Sequence, residues 1–374
     1  MGFLKNTIQA ISKSLGYYST NDLHVYQNNR LDFDANGRLV FWPVGFDRYQ
    51  FNDRNFDEFV HRGYGENPYI FMIVDRIATL LKNIPVLLVD DEDNIIEDTR
   101  WTDLKAKTNE RDNWEEYIYR LASTYLVTGN GFTWGTSPIG MNHYTQLNIA
   151  LPQNTVIQTD SGEQWGIPQS YSITNQYGSG IIDADRMLHM IKPNIINDSN
   201  YGLSTLYSGQ PIYTASNETF NAKASVHKNR GATGYASPKN SDDALSETEA
   251  EQLQRAMDKQ TAGSDKFGRI KWATMPIEFT QIGMSPNDLK LLELNKEARR
   301  DACALYSVPS VLFGDTDNSK YSNVKEAKQS IYTDAVLPLG DDIYQQLTTF
   351  LIRENWGIDG YLILDKSAIK SLQK

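Results

Sequence analysis

Cysteine is almost absent from the chain: Cys303 stands alone among 374 residues. One cysteine excludes an intramolecular disulfide and a multi-cysteine zinc site, and the composition fits a reducing compartment. Cys303 reads as small-residue packing on a helix. Histidine is scarce too, and His24, His61, His143, His189 and His227 are scattered without ligand spacing. Neither HExxH nor GxSxG occurs, which removes the common metalloprotease and serine-hydrolase arrangements. A basic excess is missing: 36 Lys and Arg against 47 Asp and Glu give a formal net charge of -11. Such a chain is not built to wrap DNA by neutralising phosphates. A long uninterrupted apolar run is also lacking. The longest candidate, "YIFMIVDRIATLLKNIPVLLV" from Tyr69, contains Asp75, Arg76, Lys82 and Pro85, so it reads as a core helix followed by a strand and no membrane partner is expected.

What is present is an ordinary globular composition, 40% hydrophobic and 22% charged, long enough for two or three domains. "MGFLKNTIQAISKSLGYYS" spaces Leu4, Ile8, Ile11 and Leu15 as one helical face, a docking helix rather than an export signal. Gly2 lacks the Ser or Thr that usually accompanies myristoylation, because Asn6 stands there. Asn67-Pro68 predicts a helix start, and "VLLVDDEDNII" a hairpin with an acidic turn. "NWEEYIYRLASTYLVTGNGFTW" sets Trp114, Ile118, Leu121 and Tyr125 on one face of a helix that stops at Gly129. "TQLNIALPQNTVIQTD" and "QSYSIT" alternate as strands, and His189 falls on another. The pattern is α+β, without the regular strand-helix alternation of a nucleotide-binding sheet.

From Tyr201 the character changes. A long helix is expected with Ile212, Ala215, Thr219, Ala222 and Val226 on one stripe, ending at Gly231. A polar insert follows: "GATGYASPKNSDDAL" reads as loop, Ser246 and Glu249 as a capping box, "RIKWA" and "IEFTQIG" as strands. Ser285, Pro286 and Asp288 open a further helix whose stripe is Leu291, Leu294, Ala298, Ala302 and Leu305. A last long helix from about Ser322 carries Val324, Ile331, Ala335, Ile343, Leu347 and Phe350, bends at Pro338 and ends near Gly357; "GYLILDKSAI" then returns as a strand.

Between those last two helices lies "SVPSVLFGDTDNSKYSNVKEA". Asp315, Asp317, Ser319, Asn323 and Glu326 fall on the first, third, fifth, ninth and twelfth positions of an EF-hand loop. The sixth position, however, is Lys320 instead of the turn glycine, so no metal is expected. "GTSPIGMN" from Gly135 has the glycine spacing of a phosphate loop, but Met141 and Asn142 occupy the Lys and Ser/Thr positions. No cofactor and no catalytic residues are expected. Asp90, Asp91, Glu92 and Asp93 cluster as a two-metal nuclease would require, yet they read as a turn.

In order and spacing, "NPYIFMIVDRIATLLKNIPV", "LVTGNGF", "DRMLHMIKPNIINDSNYGLSTL", "VHKNRGATG" and "SPNDLKLLELNKEARRDACALYSVPSVLFG" followed by "YSNVKEA" resemble the portal proteins of tailed double-stranded DNA phages. The similarity is to the short-chain type found with long non-contractile tails, and spans most of the chain. It implies an α+β wing over residues 1–200, stem helices at 201–230 and 285–308, a clip insert at 231–284, a tunnel loop at 309–322 and a crown helix with return strand at 323–374. Asp315, Asp317, Asn318, Ser319, Lys320 and Tyr321 would then face the DNA channel, with Pro309 and Gly314 as hinges and the Leu291 to Leu305 stripe packing the stem. The resemblance further implies a homo-oligomeric ring, usually a dodecamer, at one vertex of the virion capsid and assembled in the host bacterial cytoplasm. Double-stranded DNA would pass through it loosely held, and terminase, major capsid protein and a head-tail adaptor would be its partners. Two other readings are a structural capsid or adaptor protein without a channel, and a metal-dependent nucleic-acid enzyme.

Overall fold

The computed structural model describes residues 55–160, 166–175, 178–196, 199–229, 234–238, 277–281, 291–315 and 321–373, with the single positions 162 and 255. The expected helix at 1–19, the Ser246 capping box, "RIKWA" and the Ser285 cap lie outside these residues.

Asn55 starts a short helical segment, Phe56–Glu58, that widens into π turns over Phe59–Gly65. Helix α1, Pro68–Lys82, begins where the sequence places it: the Asn67 side chain accepts the Tyr69 and Ile70 N–H groups, and Pro68, which has no N–H to leave unpaired, takes the first position. Ile70, Ile73, Val74, Ile77, Ala78 and Leu81 all point into the core. Strand β1, Val86–Val89, follows at once. The expected hairpin shrinks to a single bridge, Val89 to Ile95, and β1 takes its full partner from the far end of the chain. Turn geometry explains this, since the Asp90 carboxylate accepts the N–H groups of Glu92 and Asn94 and closes the chain locally before a second strand can extend.

Helix α2 is Thr99–Ala106 and α3 is Trp114–Thr128. Asn113 and Glu116 form a reciprocal capping box on α3, and Trp114, Ile118, Leu121 and Tyr125 are buried as their spacing predicts. The helix stops at Gly129, φ 71°, where a Cβ would sit 2.3 Å from the Leu203 carbonyl oxygen. Only glycine satisfies both the left-handed backbone and that close approach.

Two three-stranded antiparallel sheets come next. In the first, β2 (Asn130–Thr136) lies between β3 (Gln146–Ala150) and β7 (Met187–Ile191); in the second, β5 (Pro168–Asn175) lies between β4 (Thr155–Thr159) and β6 (Gly178–Asp183). Phe132, Ala150, Tyr171 and Met187 form the small core they share.

Helix α4 spans Gln210–Asn229. Its buried face departs from the expected stripe: Tyr213, Ser216 and Asn217 turn inward, whereas Ala215 is exposed and Ile212, Thr219 and Ala222 are half-buried. Polar anchoring decides the rotation. Asn67 Nδ2 donates to Ser216 Oγ (3.0 Å) and Asn217 Oδ1 (2.8 Å), and Asn217 donates to the Arg62 carbonyl (3.0 Å). Left unpaired in the core, these amides would each cost about 1–3 kcal/mol. The insert corrects a second expectation: Gly234–Pro238, within the segment read as loop, is strand β8 and pairs antiparallel with β9, Ile277–Gln281.

Helix α5, Leu291–Leu305, packs along α4. The last helical run is continuous: α6 (Tyr321–Ser330), π turns over Ile331–Val336, α7 (Leu337–Leu347) and π turns over Thr348–Asn355. The wide turns precede Pro338, which has no N–H for an α-helical bond. After Gly357 (φ 65°), β10, Tyr361–Leu364, pairs with β1 in the register Val86 to Leu364. Residues 331–369 thereby enter the same core as α1 and α3, with Tyr344 stacked on Trp114 at 6.3 Å.

Candidate functional site

The region between α5 and α6 is built from a helix stop, a short turn and a clamp. Ser307 takes a left-handed backbone, φ 55°. Its N–H reaches the Ala304 carbonyl (3.1 Å) and the Val308 N–H reaches that of Cys303 (2.9 Å), the bonding pattern of a Schellman motif. Pro309, φ -67°, cannot continue the helix; Ser310–Phe313 form one 3₁₀ turn, and Gly314, φ 86°, ends it. The α5 stop is thus set by backbone geometry at "SVP", as the sequence suggests.

Asp315 departs from the expectation of an exposed loop carboxylate. It is 2% exposed, and its two oxygens receive the Arg300 Nε (2.7 Å) and a terminal guanidinium nitrogen (2.8 Å) in a bidentate pair, with Ser310 Oγ donating at 2.9 Å. The physical reason is the turn itself: Gly314 reverses the chain back over α5, where an arginine one helical face away can meet the carboxylate. Gly314 is therefore followed by an anchor. Tyr321 corrects the boundary on the other side, because it is the first residue of α6 rather than part of the loop. Asp317, Asn318, Ser319 and Lys320 lie outside the described residues. With Asp315 committed to Arg300, the first oxygen of the EF-hand spacing is already engaged.

The α5 stripe divides by depth. Ala302 is buried, as is Cys303 beside it; Ala298 and Leu305 are half-buried, and Leu294 stays 44% exposed. Leu291 opens the described helix. Burial pushes the Cys303 thiol up to about 12, so it is an inert packing group. Arg300 is the residue at this turn that sequence reasoning misses. It sits off the apolar stripe beside Arg299, and nothing in its spacing announces a partner 15 positions on.

Elsewhere the charged clusters are structural. The Asp90 carboxylate closes its own turn and Asp93 accepts the Tyr361 hydroxyl (2.8 Å). His189 lies on β7, stacked on Phe132 at 4.0 Å, with Nε2 3.1 Å from Asn130 Oδ1. Asn130 donates to the carbonyls of Thr128 and Gly202 and accepts the Gly202 N–H, so its oxygen faces the imidazole and Nε2 carries the proton. Burial holds His189 far down, to about 3. Among the described residues, no group of three His, Cys, Asp or Glu is arranged to hold a metal, and no helix is long and apolar enough to cross a membrane.

Residues 68–369 match the family described as phage portal protein. The chain belongs to the phage portal protein family. This portal protein is 23% identical over 323 residues to an uncharacterized protein of Rickettsia bellii, covering 83% of this chain and 80% of that one, and 22% identical over 317 residues to one of Rickettsia felis with the same coverage. Its fold is similar to the neck of an empty gene transfer agent particle resolved with C6 symmetry (22% identity, 86% and 87% coverage, TM-score 0.64) and of a native one with C12 symmetry (21%, 85% and 86%, 0.63). It is also similar to an HK97-family phage portal protein from Corynebacterium diphtheriae (13%, 82% and 95%, 0.58). The portal protein shares its mixed α+β fold with these solved structures.

Proposed function

We propose that copies of this chain close into a ring, a dodecamer, at one capsid vertex of a virion and form the channel through which double-stranded DNA is packaged, retained and ejected. The observation that carries the reading is the family match over residues 68–369, which takes in α1 to α7 and both ends of the β1–β10 sheet. Leu294, 44% exposed on α5, supports it as an apolar side chain left for a neighbouring copy.

The wing comprises residues 1–200, the stem 201–230 and 285–308, the clip 231–284, the tunnel loop 309–320, and the crown with return strand 321–374. Of the loop, Asp317 to Lys320 are the residues for the channel, while Pro309, Gly314 and Asp315 hold its root. A net charge of -11 suits a conduit, since carboxylates repel the phosphate backbone and let it slide, whereas a basic lining would gain counterion-release affinity. The protein performs no catalysis in this scheme. Terminase supplies the work during packaging, a head-tail adaptor docks afterwards, the major capsid protein surrounds the ring, and assembly takes place in the host cytoplasm.

Negative-stain images and native mass spectrometry of the purified protein test the proposal. Closed rings with a central channel are expected. A monodisperse monomer at micromolar concentration in several salts overturns it.

A further inference from the structure

A groove of about 360 Å³ opens between the end of α1, the π turns after α6 and the C-terminal residues 368–371. Its floor is apolar, from Leu80, Leu312 and Ile369, while its rim carries Arg76, Lys328 and Lys370. Among the described residues, no carboxylate lines it. None of the three cations takes part in an ion pair among the described residues, although acids outnumber bases in the chain. At the groove wall the Ser371 hydroxyl is buried without a hydrogen-bond partner. Three unpaired cations over an apolar floor call for an occupant that brings carboxylates and an apolar side chain together.

The chain itself has such a segment at the tip of β1. Asp91, Glu92 and Asp93 are exposed, Ile95 beside them is 63% exposed, and no base occurs between Asp90 and Glu97. The tip is held ready by the Asp90 carboxylate and by the Tyr361 hydroxyl on Asp93; Asp91 and Glu92 stay exposed, with Glu92 Oε2 3.4 Å from Asn94 Nδ2 of the same turn. It cannot fold back into its own groove. Ile84 lines the groove, and the chain then runs through β1, fixed along its length to β10, which holds Asp91 about 20 Å away.

We propose that the Arg76–Lys328–Lys370 groove of one copy receives the Asp91–Glu92 turn and Ile95 of the next. A contact between two different patches of identical chains is heterologous, and repeated around an axis it closes a ring. The inference rests on the ring reading above and adds the pair of surfaces that sets its register.

Charge reversal tests it with the full chain. K328E with K370E, and separately D91K with E92K, should each lower ring yield at a fixed micromolar concentration by at least about tenfold, because like charges then face each other. All four changes in one chain should restore rings. D91C with K370C should give covalent oligomers on a non-reducing gel, with the buried Cys303 silent in the parent chain. If both reversed variants form rings at the parent yield, or the cysteine pair gives no inter-chain bond, this contact is overturned and the ring reading stands. A parent chain that stays monomeric overturns both.

Discussion

Arg300 and Asp315 are joined by two parallel charge-assisted hydrogen bonds of 2.7 and 2.8 Å, which tie the root of the loop to the flank of α5. The carboxylate is sealed at 2% exposure while the guanidinium remains 40% exposed, so the two partners are unequal. Removing the arginine takes the bidentate guanidinium from a buried carboxylate that keeps the Ser310 hydroxyl; removing the carboxylate leaves a cation that water can reach. Arg300→Ala should therefore cost about 2–3 kcal/mol, somewhat below the range for a fully buried pair, and Asp315→Ala less. Urea denaturation of the single variants and the double variant checks it. The double variant should be more stable than Arg300→Ala alone.

Ser307 offers a backbone test of the same region. Its φ of 55° is a conformation that costs a side-chain-bearing residue about 1–2 kcal/mol, and glycine removes that cost while loosening the unfolded chain. Ser307→Gly should come out neutral or more stable by up to about 1 kcal/mol, and Ser307→Val less stable by about 1 kcal/mol or more. Thermal melts distinguish the two directions.

His189 predicts a pH dependence with a definite sign. Its folded-state pKa is held down to about 3 by burial, whereas the unfolded imidazole titrates near 6.5. Below about 6.5 the unfolded chain binds a proton that the folded chain refuses, so stability is full above that pH and falls as the pH drops toward 3. The slope from this one group is at most about 1.4 kcal/mol per pH unit. Denaturation midpoints at a series of pH values, compared with His189→Gln, should show a shallower acid loss in the variant. Parallel profiles would remove His189 as the cause.

What was legible in the sequence was what local chemistry decides. Asn67-Pro68, the Asn113–Glu116 box and Gly129 each fix an end of a helix within a few residues of chain, and the structure has all three. The partner of β1 was not legible, because it comes from Tyr361–Leu364 at the other end of the chain and the acidic turn after Val89 imitates a hairpin. The rotation of α4 is hidden from the sequence for a related reason. Its apolar stripe is narrow, and two polar residues, Ser216 and Asn217, outweigh it by meeting Asn67 across a distance that periodicity does not encode. Composition made Asp315 look like one more loop acid. Gly314, which turns it back onto Arg300, was visible, but the arginine waiting there was not.

The clamp at Asp315 sets changes in the loop beyond it apart from changes on α5. Deleting Asn318 to Lys320 shortens the segment after the clamp, so the Arg300–Asp315 pair, the α5 stop and the packed start of the π turns at Ile331 should all survive. Folding and ring formation should be retained, and packaging or retention of DNA should fail. Because a shortened connection can strain α6, a second variant of unchanged length, with Gly and Ser at 317–320, separates loss of reach from loss of side chains. Leu294→Ala should behave in the opposite way. Its side chain is 44% exposed in the single chain, so the denaturation free energy should move by no more than about 0.5 kcal/mol, while the yield of rings falls because the apolar contact belongs to the neighbour. Ring yield by native mass spectrometry against nuclease-protected DNA in particles gives the two readouts. If both loop variants protect DNA as the parent does, residues 317–320 are not the part of the ring that meets the duplex, and the search moves to another element lining the channel.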